Sequence, residues 1–64
     1  MHMHIFRVKV RWPSQPLEVW WVEVEASNAK NARMAAVAAA TEKYPERQDP
    51  QTLDVNRRGW IKPL

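Results

Sequence analysis

Three cationic side chains alternate with apolar ones near the start of the chain. In the run Ile-Phe-Arg-Val-Lys-Val-Arg-Trp (residues 5–12), Arg7, Lys9 and Arg11 stand at every second position. Successive side chains of a β-strand point to opposite faces, so these three cations share one face and the apolar residues share the other. Evenly spaced cations on a solvent-facing strand could bind phosphate groups, and Trp21 of the next strand could stack on a base. The spacing therefore predicts a nucleic-acid site.

The third strand would add an amide and a further cation to this surface. Asn56 and Arg58 fall at alternate positions and are assigned to the same outward face. Glu23 and Glu25 also fall on this face, and carboxylates repel phosphate. The pattern is therefore open to a second interpretation, in which Arg7 pairs with Glu23 in a charge ladder on a solvated surface.

A second candidate surface lies along the edge of the second strand. Val19 and Trp21 are apolar at positions that the alternation assigns to the solvent-facing side. Exposed apolar residues on an edge strand attract another chain. The partner could be a second copy that pairs strand two with strand two, or a foreign protein. Alternatively, the chain's own residues 60–64 fold over the patch.

Residue types typical of catalysis or cofactor binding are scarce. Ser14 and Ser27 are expected in turn and capping roles, and the carboxylates fall on open surfaces. The single glycine is too little for a phosphate-binding loop, and there is no cysteine. His2 and His4 alternate, but two ligands are poor support for a metal site. We therefore expect a protein that is not an enzyme, with no catalytic residues, metal, cofactor or small-molecule substrate.

The length limits the chain to one small domain, residues 1–64. A chain of this size buries only about 60% of its unfolded surface. Four tryptophans supply much of the apolar area that such a core needs. The net charge of +3 permits attraction to nucleic acid or to an acidic protein surface. The absence of cysteine and of any long apolar run predicts a cytoplasmic protein with no membrane contact.

Three strands must position these candidate residues. The first strand is expected over residues 3–12 and the second over residues 18–26, separated by a two-proline break at residues 13–16. To keep the apolar residues of both strands on the same face, the hairpin register must set Trp12 opposite Glu18.

The third strand should start near Thr52, with Leu53 and Val55 pointing inward. Gly59 is expected to mark a bulge or a bend. With the first strand in the centre and a right-handed crossover, the order of elements predicts an α+β protein of ββαβ type. Its three-stranded antiparallel sheet would have the order 2-1-3, with one Ala-rich helix on one face.

An alanine-rich helix is predicted between the second and third strands. Ser27 is expected to cap its first turn, and the helix runs over residues 28–43 until Pro45 stops it. Small side chains recur on one face at three- and four-residue spacing, which would let the helix pack closely on a bulky sheet. This stripe comprises Ala29, Ala32, Ala36, Ala39 or Ala40, and Tyr44.

The junction between the second strand and the helix carries a resemblance. Its residues are Val22-Glu23-Val24-Glu25-Ala26-Ser27, then Ala29, Ala32 and Ala36, and finally Tyr44-Pro45. This layout resembles many small ββαβ proteins of phages, plasmids and integrated elements. Over residues 5–45 it also resembles the archaeal ribosomal protein LX family, which has a Phe-Arg-Val-type first strand and a Glu-Ala-rich junction. The tryptophan pairs and the double-proline turn depart from that family, and no functional residue is carried over.

The resemblance implies a small accessory protein that acts by binding. Together with the basic face, it favours a small protein that binds DNA or RNA through the open side of its sheet. The alternative is a protein-interaction module, either a homodimer through strand two or a phage or mobile-element inhibitor of a host complex.

Overall fold

A computed structural model describes residues 3–60, and the side chains of residues 3–57. The elements are strand β1 (His4–Trp12), strand β2 (Gln15–Ala26), helix α1 (Ala29–Lys43) and strand β3 (Gln51–Trp60). Both strand pairs are antiparallel, and the sheet order is β2-β1-β3. The predicted ββαβ arrangement is therefore confirmed. Over residues 3–60 no helix is long and apolar enough to cross a membrane.

The hairpin register is as predicted along most of β1 and β2. Pairing runs from Ile5 opposite Glu25 to Arg11 opposite Val19. At the turn, however, Trp12 pairs with Gln15 and not with Glu18. A tight turn at residues 13–14 joins the strands and forces this pairing.

Strand β2 therefore starts three residues earlier than predicted, and it absorbs residues 16–18 in a register shift. Pro16 lacks an N–H group and cannot donate to the ladder at this point. The shift falls between Arg11 and Trp12 of the partner strand. It leaves Leu17 almost fully exposed.

Strand β3 contains two register shifts against β1. Lys9 lies opposite Asp54, whereas Val10 lies opposite Thr52, so Leu53 is an extra residue. The prediction that Leu53 points inward is wrong, because a bulged residue loses its place in the alternation and Leu53 is exposed. Val55 lies opposite Val8 and packs on the core, as predicted.

The second shift in β3 confirms the predicted bulge beside Gly59. Phe6 pairs with Arg57, and the preceding residue, Ile5, pairs with Gly59. Arg58 is the extra residue at this point. A bulge of this kind increases the local twist of the strand.

The helix covers one face of the sheet through its smallest side chains. Ala32, Ala36 and Ala40 are buried at four-residue spacing, and Tyr44 continues the same face. Ala29 is exposed, so the stripe starts one turn later than predicted. The sheet contributes the larger core residues Phe6, Val8, Val10 and Trp12, together with Ala26.

The helix is capped by Asn28, and the prediction of Ser27 is wrong. The side chain of Asn28 accepts a hydrogen bond from the backbone N–H of Asn31, with 2.8 Å between the heavy atoms. The Asn31 side-chain amide in turn donates to the Ser27 hydroxyl at 3.1 Å. Strand β2 ends at Ala26 and the helix starts at Ala29, so Asn28, whose backbone is extended, is the residue that directly precedes the first helical turn.

Replacing Asn28 by alanine should lower the free energy of unfolding by about 1 kcal/mol, because an N–H group of the first turn loses its acceptor. Urea unfolding monitored by tryptophan fluorescence would measure the change. Ser27→Ala is the control and should cost less, since Ser27 caps no backbone group. A larger loss for Ser27→Ala would assign the capping role to Ser27.

Candidate interaction surface and the aromatic cluster behind the sheet

The uncovered face of the sheet carries the three cations of β1. Arg7 and Arg11 are exposed and Lys9 is half-buried, whereas the residues that alternate with them lie under the helix. Asn56, also exposed, lies directly opposite Arg7 on β3. The side chain of Arg58 lies outside the described residues. We call this face of the sheet the outer face.

Trp21 lies on the outer face, on edge strand β2, where two cations of β1 cover its ring. Its side chain is 39% exposed. The Cζ atom of Arg7 lies 4.6 Å from the centroid of the Trp21 ring, and the Nζ atom of Lys9 lies 5.8 Å from it. Both distances are within the range of a cation–π interaction.

Arg7 and Glu23 are cross-strand neighbours as predicted, but they do not form the predicted ion pair. The two residues are directly opposite in the register. Their side chains form no ion pair within 4 Å. Among the described residues, the ion pair found joins Arg47 to Glu18. An exposed ion pair is weak, so the planar guanidinium gains more by covering the indole of Trp21.

Carboxylates offset the cations of the outer face. Glu23 and Glu25 are exposed beside them on β2, and Asp54 lies opposite Lys9 on β3. Within the described side chains, the three cations of β1 thus have three carboxylates as neighbours on the same face. The face is a mixed-charge surface and not a continuous basic patch.

The edge of β2 adds exposed apolar side chains to this surface. Val19 is 44% exposed, as its position predicted, and Leu17 is 96% exposed. Leu17 was outside the predicted strand, so alternation did not identify it. The alternative in which residues 60–64 cover this patch lies outside the described side chains.

An aromatic cluster that the sequence did not predict lies on the other side of the sheet. The Trp12 and Tyr44 rings are perpendicular, with centroids 5.1 Å apart and planes at 80°. The Trp20 and Tyr44 rings are 5.9 Å apart at 89°, and the two tryptophan rings are 6.2 Å apart. The two contacts with Tyr44 are edge-to-face and the tryptophan pair is tilted at 35°; together they close the end of the core next to the β1–β2 turn.

Arg47, from the loop after the helix, is inserted into this cluster. Its Cζ atom lies 4.3 Å from the centroid of the Tyr44 ring and 4.9 Å from that of the Trp12 ring. Its guanidinium forms an ion pair with Glu18 at 2.6 Å, and its side chain is only 19% exposed. A pocket of about 270 Å³ opens beside it; its lining residues are Trp12, Glu18, Val19, Trp20, Tyr44 and Arg47.

The remaining candidate residues form no reactive constellation. Among the described residues, no group of three or more histidine, cysteine or acidic side chains could hold a metal ion. His2 is outside the described residues. Ser14 lies in the β1–β2 turn and Ser27 accepts a hydrogen bond in the helix cap.

Comparisons with protein-family models, curated proteins and solved structures gave no match. The resemblance to the ribosomal protein LX family and to small mobile-element proteins remains a prediction.

Proposed function

We propose that this chain is a non-enzymatic protein-interaction module that binds through the edge of β2 and the adjoining part of the outer face. One observation carries the proposal. Strand β2 is a 12-residue edge strand on which Leu17, Val19 and Trp21 expose apolar side chains at alternate positions.

An edge strand of this kind is unusual in a protein that remains alone. Unpaired backbone groups at the edge of a sheet are a template for another strand, and natural proteins protect them with short strands, bulges or charges. β2 is twice the common strand length of about 5–6 residues, and Leu17, Val19 and Trp21 are exposed on it. Its edge therefore has both hydrogen-bonding groups and apolar area to offer to a partner.

The composition of the surface also suits a protein partner. Tryptophan and arginine are the residue types most enriched among those that dominate binding energy, and here Arg7 lies over Trp21. The surrounding charges alternate in sign, which favours a partner with a complementary pattern of both signs over a polyanion.

A second copy of the chain is the simplest partner for this edge. If two β2 strands paired in antiparallel fashion about a two-fold axis near Val19, the exposed Val19 and Trp21 side chains of the two copies would lie close together. Glu23 and Glu25 would then be at opposite ends of the interface and would not repel their counterparts. A foreign protein that supplies one strand, such as a subunit of a host complex, would use the same edge.

Trp21→Ala should abolish association while leaving the fold intact. Trp21 is outside the core, and loss of a central tryptophan typically costs about 2 kcal/mol or more of binding energy, roughly thirtyfold in Kd. Sedimentation equilibrium would measure self-association, and thermal unfolding would report the fold. Met34→Ala, at an exposed apolar position of the helix, is the matched control and should associate as the unmodified protein does.

Two results would contradict this proposal. If Trp21→Ala unfolds, Trp21 supports the core and is not a binding residue. If the variant associates as strongly as the unmodified protein, the β2 edge is only a solvated surface. If the unmodified protein stays monomeric, the second copy is excluded and a foreign partner must show the same Trp21 dependence.

Nucleic-acid binding is the second candidate, and the row of cations favours it. Arg7, Lys9 and Arg11 follow one another at strand spacing beside an aromatic ring that could stack on a base. Titration of single- and double-stranded oligonucleotides at several salt concentrations tests this function. Phosphate binding should weaken with a log–log slope of about −0.7 to −0.9 per contact. Absence of binding at low salt would leave the protein partner as the function of this face.

A further inference from the structure

We propose that the aromatic cluster is a binding site for an arginine side chain of another molecule, and that Arg47 occupies this site from within the chain. The site comprises Trp12, Trp20, Tyr44 and Glu18, and we call it the arginine cage. Its three rings lie on the helix side of the sheet, whereas Glu18 belongs to β2 and Val19 of the same strand lines the pocket beside the cage.

The geometry of the cage is that of a receptor for a planar cation. Trp12 and Trp20 each meet the Tyr44 ring at nearly a right angle, which gives a guanidinium aromatic surfaces from two directions. The Arg47 Cζ atom lies well within about 6 Å of two ring centroids, the range of a cation–π interaction. A carboxylate at the mouth of the cage supplies the counter-charge.

Arg47 is held by contacts that another arginine could reproduce. Its side chain contacts two rings and one carboxylate, and its own backbone lies in the irregular segment between the helix and β3. The backbone N–H of Arg47 donates to the carbonyl of Tyr44 at 3.1 Å, which fixes the first turn of that segment without the side chain. The guanidinium can therefore leave while the loop stays attached.

The mouth of the cage is open to an incoming group. The pocket beside Arg47 has a volume of about 270 Å³ and extends along Val19 and Trp20. Glu18 is 56% exposed, so its carboxylate is accessible from solvent while it pairs with Arg47. An incoming guanidinium can thus enter next to Trp20 and then exchange with Arg47 on the carboxylate.

The chemistry of the cage selects arginine among organic cations. Glu18 accepts an N–H donor, which a quaternary ammonium group lacks. A guanidinium is planar and weakly hydrated and stacks on aromatic faces, whereas a lysine ammonium is a strongly hydrated point charge. The ligand class is therefore an exposed arginine of a peptide or protein.

Removing the internal occupant should make the site available. When a ligand competes with an internal group, its apparent affinity is its intrinsic affinity multiplied by the fraction of time that the site is empty. We expect Arg47→Ala to bind N-acetyl-arginine methylamide at least about tenfold more tightly than the unmodified protein does. The probe would be titrated while the indole N–H resonances of Trp12 and Trp20 are followed by NMR.

Matched variants separate this site from general charge effects. Arg33→Ala removes a cation from an exposed position of the helix and should bind the probe as weakly as the unmodified protein. Glu18→Gln added to Arg47→Ala should reverse most of the gain, because the carboxylate is lost while the rings remain. The lysine analogue of the probe should bind more weakly than the arginine probe.

The proposal fails if folded Arg47→Ala shows no saturable change at the two indole resonances, or if it binds both probes equally. If Arg47→Ala does not fold, Arg47→Gln keeps most of the side chain over the rings and repeats the test. If neither variant folds, Arg47 is a structural part of the core and the proposal is overturned. The indole resonances of Trp12 and Trp20 report on the cage, whereas Trp21→Ala reports on the β2 edge, so the two proposals fail in separate measurements.

Discussion

Replacing Trp12 by alanine should unfold most of the protein at room temperature. Trp12 is fully buried, and its ring contacts Trp20, Tyr44 and the Arg47 guanidinium. Truncation of a buried tryptophan typically costs about 3–5 kcal/mol, which approaches the whole stability of a small domain. Circular dichroism and the dispersion of NMR amide resonances would measure the loss.

Trp12→Phe is the control for this effect. Phenylalanine keeps most of the apolar contact area, and it also removes the indole Nε1, a buried donor for which no described residue is an acceptor. Removing that unpaired donor recovers its desolvation cost, which offsets part of the free energy lost with the packing contacts of the indole. We therefore expect Trp12→Phe to remain folded. A folded and cooperative Trp12→Ala would show that the cluster at this end is dispensable for the core.

Ala36→Leu should destabilise the fold by at least about 1–3 kcal/mol, because extra methylene groups must fit into a core that has no space for them. Ala36 is fully buried between the other two buried alanines of the helix. Its methyl group sets the distance between the helix and the sheet, so a larger side chain pushes the two layers apart. Urea unfolding would measure the change in midpoint.

The matched variant Ala38→Leu makes the same change on the exposed side of the helix. Surface substitutions of this kind typically change stability by no more than about 0.5 kcal/mol. Equal losses at the two positions would mean that helix propensity, and not packing, accounts for the effect. A melting temperature for Ala36→Leu within a degree or two of the parent would contradict the assigned packing.

The element order and most of the hairpin register could be predicted because they depend on local patterns. Alternation in β1 and β2 fixes which residues share a face, and a one-residue slip would mix the faces. The alanine spacing likewise identifies the buried side of the helix at Ala32 and Ala36. These patterns repeat over many residues, so a single exception does not change the outcome.

The errors occurred where one residue interrupts a pattern. Leu53 is bulged, and a bulge shifts the alternation without leaving a clear mark in the sequence. Ser27 and Asn28 are both good capping residues in the two-residue link between β2 and the helix, and the sequence does not show which of them directly precedes the first helical residue. The turn at residues 13–14 is tighter than the two prolines suggested.

The arginine cage could not be predicted because its parts are distant in the sequence. Trp12, Glu18 and Trp20 flank the first turn, whereas Tyr44 and Arg47 follow the helix. The only local signal was that Tyr44 continues the alanine stripe, which places its ring near the tryptophans. Nothing local indicates that Arg47 turns back toward them from a polar loop.

The central position of β1 also has a consequence for how the chain acquires its structure. β1 pairs with β2 through a tight turn, but its other neighbour, β3, follows only after the helix. The hairpin and helix can form early, whereas closure of the β1–β3 ladder must wait for a long loop to close. Until then β1 has an open edge beside Phe6, Val8 and Val10. A chain cleaved between the helix and β3 should therefore aggregate through that edge and not persist as a smaller folded unit.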